Sequence, residues 1–371
     1  MAMTALTSTA WSQTLSSDTT VQPTTMKLIF IGDIMGHGPQ IRSAYQPATD
    51  SYDYKPVFLQ VAPIIKSADY AIANLEVTLA GPPFKGYPQF SSPDALAADC
   101  KYNGIDVMVT ANNHSCDRGG DGLVRTIDVL DSLDIMHTGT FRNAEARAQQ
   151  NLLQLTKDDI TVGMLNYTYG TNGLPAPPPT LVNLIDTAQM RLDIESIQPG
   201  QLDQLIVFIH WGSEYQSHPH EQQIAIADFL FDLGVDIIIG SHPHVLQRME
   251  RITHPNGDRF IAYSLGNFVS NQRKPKTDGG AMVELTLEKK DGQTRVSDCG
   301  YHLTWVNKST MNDRTTYEIL PARVIERLQE RNVHLLDSAA TYQMGQFTEA
   351  SRELLNQENR DVPEVGQTRV R

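Results

Sequence analysis

The sequence predicts a layered α/β or α+β fold. Between about Met26 and Phe268, short apolar runs alternate with helix-like segments, which is the pattern of strands and helices packed in layers. Two further pairs of runs, each joined by a polar turn, are typical of antiparallel hairpins. Six runs end in clusters of carboxylate, amide and imidazole side chains, and a sheet collects its strand ends along one edge. We therefore expect a polar cleft at that edge.

Each of the six predicted strands is followed directly by its polar cluster. In chain order they are Lys27 to Ile31 before Gly32-Asp33-Ile34-Met35-Gly36-His37, Asp69 to Ala73 before Asn74-Leu75-Glu76, Ile105 to Thr110 before Ala111-Asn112-Asn113-His114, Leu205 to Ile209 before His210-Trp211-Gly212-Ser213-Glu214-Tyr215, Ile237 to Gly240 before Ser241-His242-Pro243-His244-Val245, and Ile261 to Leu265 before Gly266-Asn267-Phe268.

Two helices are predicted from apolar periodicity. Thr126 to Leu133 has apolar residues at helical spacing, and Glu221 to Leu233 has them as well. The second helix stops at Gly234, a typical C-terminal signal, and a short strand from Val235 to Ile239 follows. The predicted hairpins are Leu152 to Leu155 with Ile160 to Tyr167 around Lys157-Asp158-Asp159, and Gly280 to Lys289 with Thr294 to Trp305 around Asp291-Gly292.

Three segments are predicted along the chain. Residues 1–25 are rich in Thr, Ser and Gln and indicate a disordered tail that lacks the charged start and apolar stretch of a signal peptide. A chain whose signal had been removed would look the same, and the first residues would also suit a cloning scar. Residues 26–318 form the main domain, and 319–371 form a helical extension with a polar tail from Gln357. Residues 81–93 and 170–179 are predicted loops rich in Pro and Gly.

Composition limits the possible partners. The chain has 371 residues, 40% hydrophobic and 20% charged, which is ordinary for a globular protein. Its net charge of −13 argues against nucleic acid as the main partner. Acidic substrates stay possible because bound divalent cations can reverse the local field, although the acidity could equally serve solubility alone. No apolar run approaches the ~20 residues that span a bilayer.

The three cysteines indicate neither a disulfide framework nor a thiolate zinc site, since there is no CxxC motif and the count is odd. Cys116 lies two residues after His114. Two interpretations fit this residue: it lies near the cleft, or it is a small buried thiol. Mixed nitrogen and oxygen donors without thiolate suit Mn, Fe or Zn better than Ca. His242 and His244 would share one face if their segment were extended.

The six clusters, in this order, resemble the CapA or poly-γ-glutamate capsule biosynthesis family of the calcineurin-like metallophosphoesterase superfamily, over roughly Met26 to Ser270. The resemblance implies a four-layered α/β/β/α sandwich with a site for two divalent metal ions at the strand ends. It implies that Asp33 binds the first metal, and that Glu76 bridges the pair. The remaining implied roles are Asn113 and His210 on the second metal, His242 and His244 one on each metal, and His114 as the proton donor to the leaving group.

The sequence departs from the superfamily pattern at position 35, where Met replaces the histidine of Asp-x-His. His37, two residues further on, is either a substitute ligand or a surface-loop residue. Glu76 stands where an aspartate usually bridges. Glu214 would either hydrogen-bond a ligand histidine or meet substrate, and Asp117 would either orient His114 or start a turn. Two of the candidate ligands have a structural alternative. Asp33 could be a helix N-cap, and Asn113 could be a turn residue.

Two functions are consistent with these residues. The first is a metal-dependent hydrolase of a phosphoester, a γ-glutamyl amide or another cell-envelope bond. The second is a non-catalytic component that binds an anionic capsule polymer during assembly. In either case the resemblance implies an anionic small-molecule or polymer ligand, contact with membrane-associated capsule machinery, and a location in the cell envelope, with the cytoplasm as the alternative.

Overall fold

A computed structural model describes residues 23–254 and 257–366 of the chain. Most of the predicted N-terminal tail, residues 1–22, lies outside the described residues. The strands are β1 (Thr24–Ile34), β2 (Tyr45–Gln46), β3 (Ser51–Tyr52), β4 (Tyr70–Leu75), β5 (Val107–Val109), β6 (Met136–Thr138), β7 (Thr140–Phe141), β8 (Leu153–Lys157), β9 (Ile160–Thr168), β10 (Leu181–Val182), β11 (Gln204–His210), β12 (Ile237–Ser241), β13 (Met249–Ile252), β14 (Arg259–Ala262), β15 (Asn267–Val269), β16 (Gly279–Lys290), β17 (Gln293–Met311) and β18 (Arg314–Pro321).

The helices occupy the connections between strands and the C-terminal region. They are α1 (Gly38–Ala44), α2 (Lys55–Phe58), α3 (Ala62–Ile65), α4 (Ala95–Tyr102), α5 (Gly119–Ser132), α6 (Ala144–Gln150), α7 (Thr187–Glu195), α8 (Glu221–Asp232), α9 (Ala322–Glu330) and α10 (Ser338–Glu358). Among the described residues, none of these helices combines the length and the apolar character needed to cross a membrane.

Two mixed sheets form the body of the molecule. The first has the order β18-β17-β16-β1-β4-β5-β6, with β15 also paired to β1, and the second has the order β13-β14-β12-β11-β9-β8. In the first sheet β1, β4, β5 and β6 are parallel, whereas β16 to β18 are antiparallel additions. In the second, β9, β11, β12 and β14 are parallel, and β8 and β13 are antiparallel edges.

The two sheets pack face to face, with helices on both outer faces. Alternate residues of β1 point to opposite sides: Leu28 and Phe30 lie in the core between the sheets, whereas Ile29 and Ile31 lie in the core beneath α2 to α5. The outer face of the second sheet packs on α7 and α8 in a third core. These layers confirm the expected α/β/β/α sandwich.

Both predicted hairpins are confirmed as β8–β9 and β16–β17. The predicted helix 126–133 is the second half of α5, and α8 ends before Gly234, whose φ of 85° is open to glycine at little cost. Strand β14 ends at Ala262, three residues earlier than expected.

The expectation of a buried thiol is confirmed for Cys116, which is 3% exposed.

The C-terminal part of the chain packs into the same core as the sheets. Strand β18, which the sequence analysis missed, extends the first sheet just before α9. Ile325 of α9 and Met344, Phe347 and Leu355 of α10 belong to the core between the sheets. Beyond α10, Glu364 is buried as well. The division at residues 25 and 318 stays a prediction.

Candidate metal centre

The polar clusters meet at one edge of the sandwich, where strand ends of both sheets face each other. The first sheet contributes Asp33 at the end of β1 and Glu76 directly after β4. The second sheet contributes His210 at the end of β11, followed by His242 and His244 after β12. All five side chains are buried. The strand order therefore brings together residues that lie up to 211 positions apart in sequence.

Five of these residues form two groups with metal-ligand geometry. One group is Asp33, Glu76 and His244, and the other is Glu76, His210 and His242. Within each group, one candidate ligand atom per residue lies within 4.8 Å of the others. Glu76 belongs to both groups, so ions bound in the two groups would share its carboxylate.

Glu76 is the part of the centre that most needs a cation. Neither of its carboxylate oxygens has a hydrogen-bond donor among the described residues. His210 Nε2 and His244 Nε2 lie 3.6 and 3.8 Å from its Oε1. Burial, and after it the charge of Asp33, raises the pKa of Glu76 well above its usual value. Because an uncompensated buried carboxylate is costly, these donors fit a divalent cation.

Asp33 is held by both backbone and side-chain contacts. Its Oδ1 accepts a hydrogen bond from Asn74 Nδ2 at 2.8 Å, and its Oδ2 lies 3.1 Å from His244 Nδ1. Its backbone N–H donates to the carbonyl of Gly266 at 3.0 Å. A Cβ on Gly32 would lie 2.1 Å from that carbonyl oxygen, so only glycine permits this approach. The contact explains why glycine precedes the aspartate in the first cluster.

His210 is oriented by contacts at both ring nitrogens. Its Nδ1 lies 2.9 Å from Ser241 Oγ, and its Nε2 lies 3.1 Å from the amide oxygen of Asn113. Burial, together with the nearby His242, lowers the pKa of His210 well below its usual value. A neutral ring that donates from Nδ1 to Ser241 presents the lone pair of Nε2 to the centre. The predicted ligand Asn113 therefore lies beside the group that contains His210.

His242 and His244 are not in an extended segment, which was the condition for placing them on one face. Their φ angles are 99° and 58°, in the left-handed region that non-glycine residues rarely adopt. Such strain is typical of functional sites. Nδ1 of His242 is buried without a hydrogen-bond partner among the described residues, and burial lowers the pKa of His242 to about 3. The ring of His242 is thus a neutral-imidazole donor of the kind that metals bind.

His114 and Asp117 form a dyad beside the two groups. His114 Nδ1 lies 2.7 Å from Asp117 Oδ2, and the backbone N–H of Phe90 donates to the same oxygen at 2.7 Å. The Phe90 ring meets the His114 ring edge to face, with centroids 4.6 Å apart. Of the two interpretations of Asp117, the geometry favours the one in which it orients His114.

Position 35, His37 and Glu214 lie outside the two groups. Met35 is buried in the outer core of the first sheet. His37 precedes α1, and its Nδ1 accepts a hydrogen bond from the backbone N–H of Asn271 at 3.3 Å; burial lowers its pKa to about 4. Glu214 is exposed and makes no hydrogen bond to a candidate ligand histidine within the described part of the chain. A ligand role for His37 and a catalytic role for Glu214 stay predictions.

Four residues of the centre were missed as functional candidates. Asn74 supports Asp33, and Asn112 donates to the backbone oxygen of Leu75 at 2.8 Å. Ser241 contacts His210, and Tyr169 packs on His242 with ring centroids 4.5 Å apart. The first three stand inside the polar clusters, so their position was a usable signal. Tyr169 follows β9, whose polar end was not counted among the clusters.

Comparisons with known proteins agree with this architecture. The profile of the family "Bacterial capsule synthesis protein PGA_cap" matches residues 27–272. The chain is 30% identical over 286 residues to the capsule biosynthesis protein CapA of Bacillus anthracis, covering 74% of this chain and 66% of that protein. It is also 30% identical over 279 residues to the PGA biosynthesis protein CapA of Bacillus subtilis, covering 70% and 67%. The chain thus spans about two thirds of the length of these relatives.

Among solved structures, a calcineurin-like phosphoesterase from Bacillus subtilis aligns with a TM-score of 0.45 at 14% identity, covering 89% of this chain and 98% of that chain. A TM-score of this size carries no argument about chemistry. The structural evidence for a metal centre is the layered fold together with the two groups of candidate ligands.

Proposed function

The chain belongs to the bacterial capsule synthesis protein family PGA_cap, and from that premise we propose that it is a metal-dependent hydrolase with a dinuclear centre. The observation that carries this proposal is the carboxylate of Glu76, which is shared by two ligand groups and has no other partner among the described residues. Asp33 and His244 would complete one site. His210, His242 and Asn113 would complete the other.

The donor set favours Mn, Fe or Zn, because it combines imidazole nitrogens with carboxylate and amide oxygens and contains no thiolate. When bound, such ions supply an activated water and neutralise charge that develops on the substrate. The protein's own contribution is orientation. Asn74 and Ser241 fix Asp33 and His210 through hydrogen bonds of 2.8 and 2.9 Å, so the donors are in place before an ion arrives.

His114 is the proposed general acid. Its Nδ1 is held by Asp117 at 2.7 Å, which fixes the orientation of the ring. Protonated His114 would give up its proton to the leaving group of the substrate from Nε2. The packing of Phe90 on the ring limits its rotation. This arrangement explains why a histidine directly follows Asn113 without joining either ligand group.

The bond that is cleaved would be a phosphoester or a γ-glutamyl or other cell-envelope bond. Both CapA relatives are capsule or PGA biosynthesis proteins, and by extension this chain would act in capsule metabolism at the cell envelope. Its partners there would be membrane-associated capsule machinery. A non-catalytic role in holding an anionic polymer is the second candidate, favoured by Met35 at the position where the superfamily has a ligand histidine.

The proposal is tested with the metal-loaded protein on phosphomonoesters, phosphodiesters and γ-glutamyl oligomers. We expect turnover of one of these classes that disappears on chelation and returns when the metal is restored. His244→Ala, which lacks one donor of the first group, serves as the matched variant and should be inactive at metal concentrations that saturate the wild type. A fully loaded wild type that cleaves none of the three classes would contradict the hydrolase and favour polymer binding.

A further inference from the structure

An exposed tyrosine lies against the second ligand group, which consists of Glu76, His210 and His242. Tyr169 directly follows β9, and its ring centroid lies 4.5 Å from that of His242 and 6.2 Å from that of His210. Its side chain is 46% exposed, whereas both histidines are buried. Tyr169 therefore borders the candidate ligands on a side that solvent can reach.

Both the backbone and the ring of Tyr169 are held in place. Its backbone N–H donates to the carbonyl of His210 at 2.9 Å, which ties it to the strand end that carries this ligand. Its ring stacks nearly parallel to that of His210, at an interplanar angle of 10°. A side chain that is fixed before binding loses little conformational entropy when a ligand arrives. The phenol is thus preorganised beside the second ligand group.

The hydroxyl of Tyr169 can donate a hydrogen bond to a ligand. The acceptor that it reaches, Asn172 Oδ1, lies 3.5 Å away, which is long for an O–H···O bond. The same oxygen accepts a hydrogen bond from Asn113 Nδ2 at 3.4 Å. Burial raises the pKa of Tyr169 and outweighs a hydrogen bond from Asn113 that acts in the opposite direction. The phenol therefore keeps its proton at neutral pH and stays a donor.

A second exposed tyrosine beside the centre differs in this respect. Tyr215 is 37% exposed, and its ring centroid lies 6.2 Å from that of His244 in the first ligand group. Burial, and after it the charge of Glu214 and a hydrogen bond to that carboxylate, raises the pKa of Tyr215 to about 12. The hydroxyl of Tyr215 therefore already has a strong acceptor, whereas that of Tyr169 is available to a ligand.

We propose that the Tyr169 hydroxyl donates a hydrogen bond to an oxyanion bound at the second ligand group. This inference rests on the proposed function and adds a substrate contact to it. Hydrolysis of a phosphoester or of an amide develops negative charge on an oxygen of the group under attack, and a fixed neutral donor stabilises that charge. His114 protonates the leaving group, whereas Tyr169 acts on an oxygen that stays with the attacked group.

The test is the affinity of the metal-loaded protein for inorganic phosphate, a tetrahedral oxyanion, measured by titration calorimetry. Tyr169→Phe removes the hydroxyl and keeps the ring, so bound metal should be unchanged and phosphate should bind at least about tenfold more weakly. For any substrate that the wild type cleaves, kcat/KM should fall by at least about the same factor. Tyr342→Phe makes the same chemical change at an exposed position of α10 and should match the wild type.

Several results would overturn the inference. Phosphate could bind to Tyr169→Phe as tightly as to the wild type, the loss could be equal in Tyr342→Phe, or the wild type could bind no phosphate. Loss of metal in Tyr169→Phe would overturn it as well, because the hydroxyl would then orient the ligand Asn113 rather than contact an oxyanion. Calorimetry needs no turnover, so an inactive wild type contradicts only the hydrolase, and an unchanged affinity in Tyr169→Phe contradicts only this contact.

Discussion

Two charged clusters in this molecule are built in opposite ways. In the C-terminal clasp, formed by Arg352, Glu326 and Glu364, the guanidinium donates to both oxygens of each carboxylate at 2.7 to 2.9 Å. In the metal centre, both oxygens of Glu76 lack a donor among the described residues. The clasp ties α9 and α10 to the chain that follows them. Without a cation, no hydrogen bond from the described residues joins the Glu76 carboxylate to the rest of the centre.

The difference distinguishes a structural cluster from a functional one. Hydrogen bonds to Glu364 raise the pKa of Arg352, so the charged form of the clasp is stabilised. Burial raises the pKa of Glu76, so the charged form of the centre is destabilised. A satisfied buried network stabilises the fold, whereas a buried carboxylate retained without partners is maintained for binding.

The largest expected effect is on rate. His114→Gln should lower turnover by about 10²–10⁴-fold, the usual contribution of a general acid, while leaving bound metal unchanged. The loss should be smaller for substrates with good leaving groups, because these need less protonation. Steady-state kinetics and elemental analysis of the same preparation check this. Loss of metal in the variant would instead make His114 a ligand.

Arg352→Ala should act on stability alone. Removing the guanidinium takes away the donor that Glu326 and Glu364 share. Because Arg352 and Glu326 are partly exposed, this loss should cost about 1–3 kcal/mol. Urea unfolding of the metal-free protein measures this loss, with Arg331→Ala as a control of the same chemical change at an exposed position. Metal stoichiometry should match the wild type below the unfolding transition. A variant that is stable yet depleted of metal would break the comparison between the clusters.

Glu76→Gln should stabilise the metal-free protein, which is the opposite of the effect expected for Arg352→Ala. Replacing a carboxylate that is buried without partners should raise the free energy of unfolding by about 1–3 kcal/mol. In excess metal the wild type should be more stable than the variant, because only the wild type gains stability from binding. Thermal unfolding with and without chelator measures both. A destabilised metal-free variant would show that Glu76 has a structural role that the contacts do not explain.

The smallest effect concerns pH and a second satisfied cluster, around Asp193. Burial raises the pKa of Asp193, but hydrogen bonds from Arg147, Tyr167 and Gln189 outweigh it and leave the pKa below its usual value. The stability from this lowered pKa is present above the unfolded-state value of ~3.9 and is lost as pH falls through the folded-state value. Acid unfolding of Asp193→Asn should lack this component. An acid transition identical to that of the wild type would contradict the assignment.

The strands and the polar clusters that contain the candidate ligands could be predicted from sequence because both depend on local pattern, whereas the choice of ligands within each cluster was implied by the family resemblance. Apolar runs with a polar end mark Asp33, Glu76 and His210 without any knowledge of contacts. Strand β18 was not predicted because its first half is polar and because tertiary contacts, rather than local sequence, determine its pairing with β17.

The orientation of the ligands could not be predicted. The positive φ angles of His242 and His244 depend on how the chain leaves β12, so the condition under which the two residues would share one face is not met. Whether Glu76 has a hydrogen-bond donor likewise depends on all the residues that pack around it, which the sequence does not show. The cleft between α1 and the β17–β18 hairpin depends on two segments about 270 residues apart in sequence meeting in space, which no local pattern specifies.

Metal stoichiometry shows whether two metal ions share the carboxylate of Glu76. The wild type and Glu76→Gln are dialysed together against excess Mn²⁺ or Zn²⁺, then against metal-free buffer, and bound metal is determined by elemental analysis. We predict about two equivalents in the wild type and less than one in Glu76→Gln, because both groups lose their common ligand. A wild type that binds one ion or none, or a Glu76→Gln variant that retains both, would contradict the account.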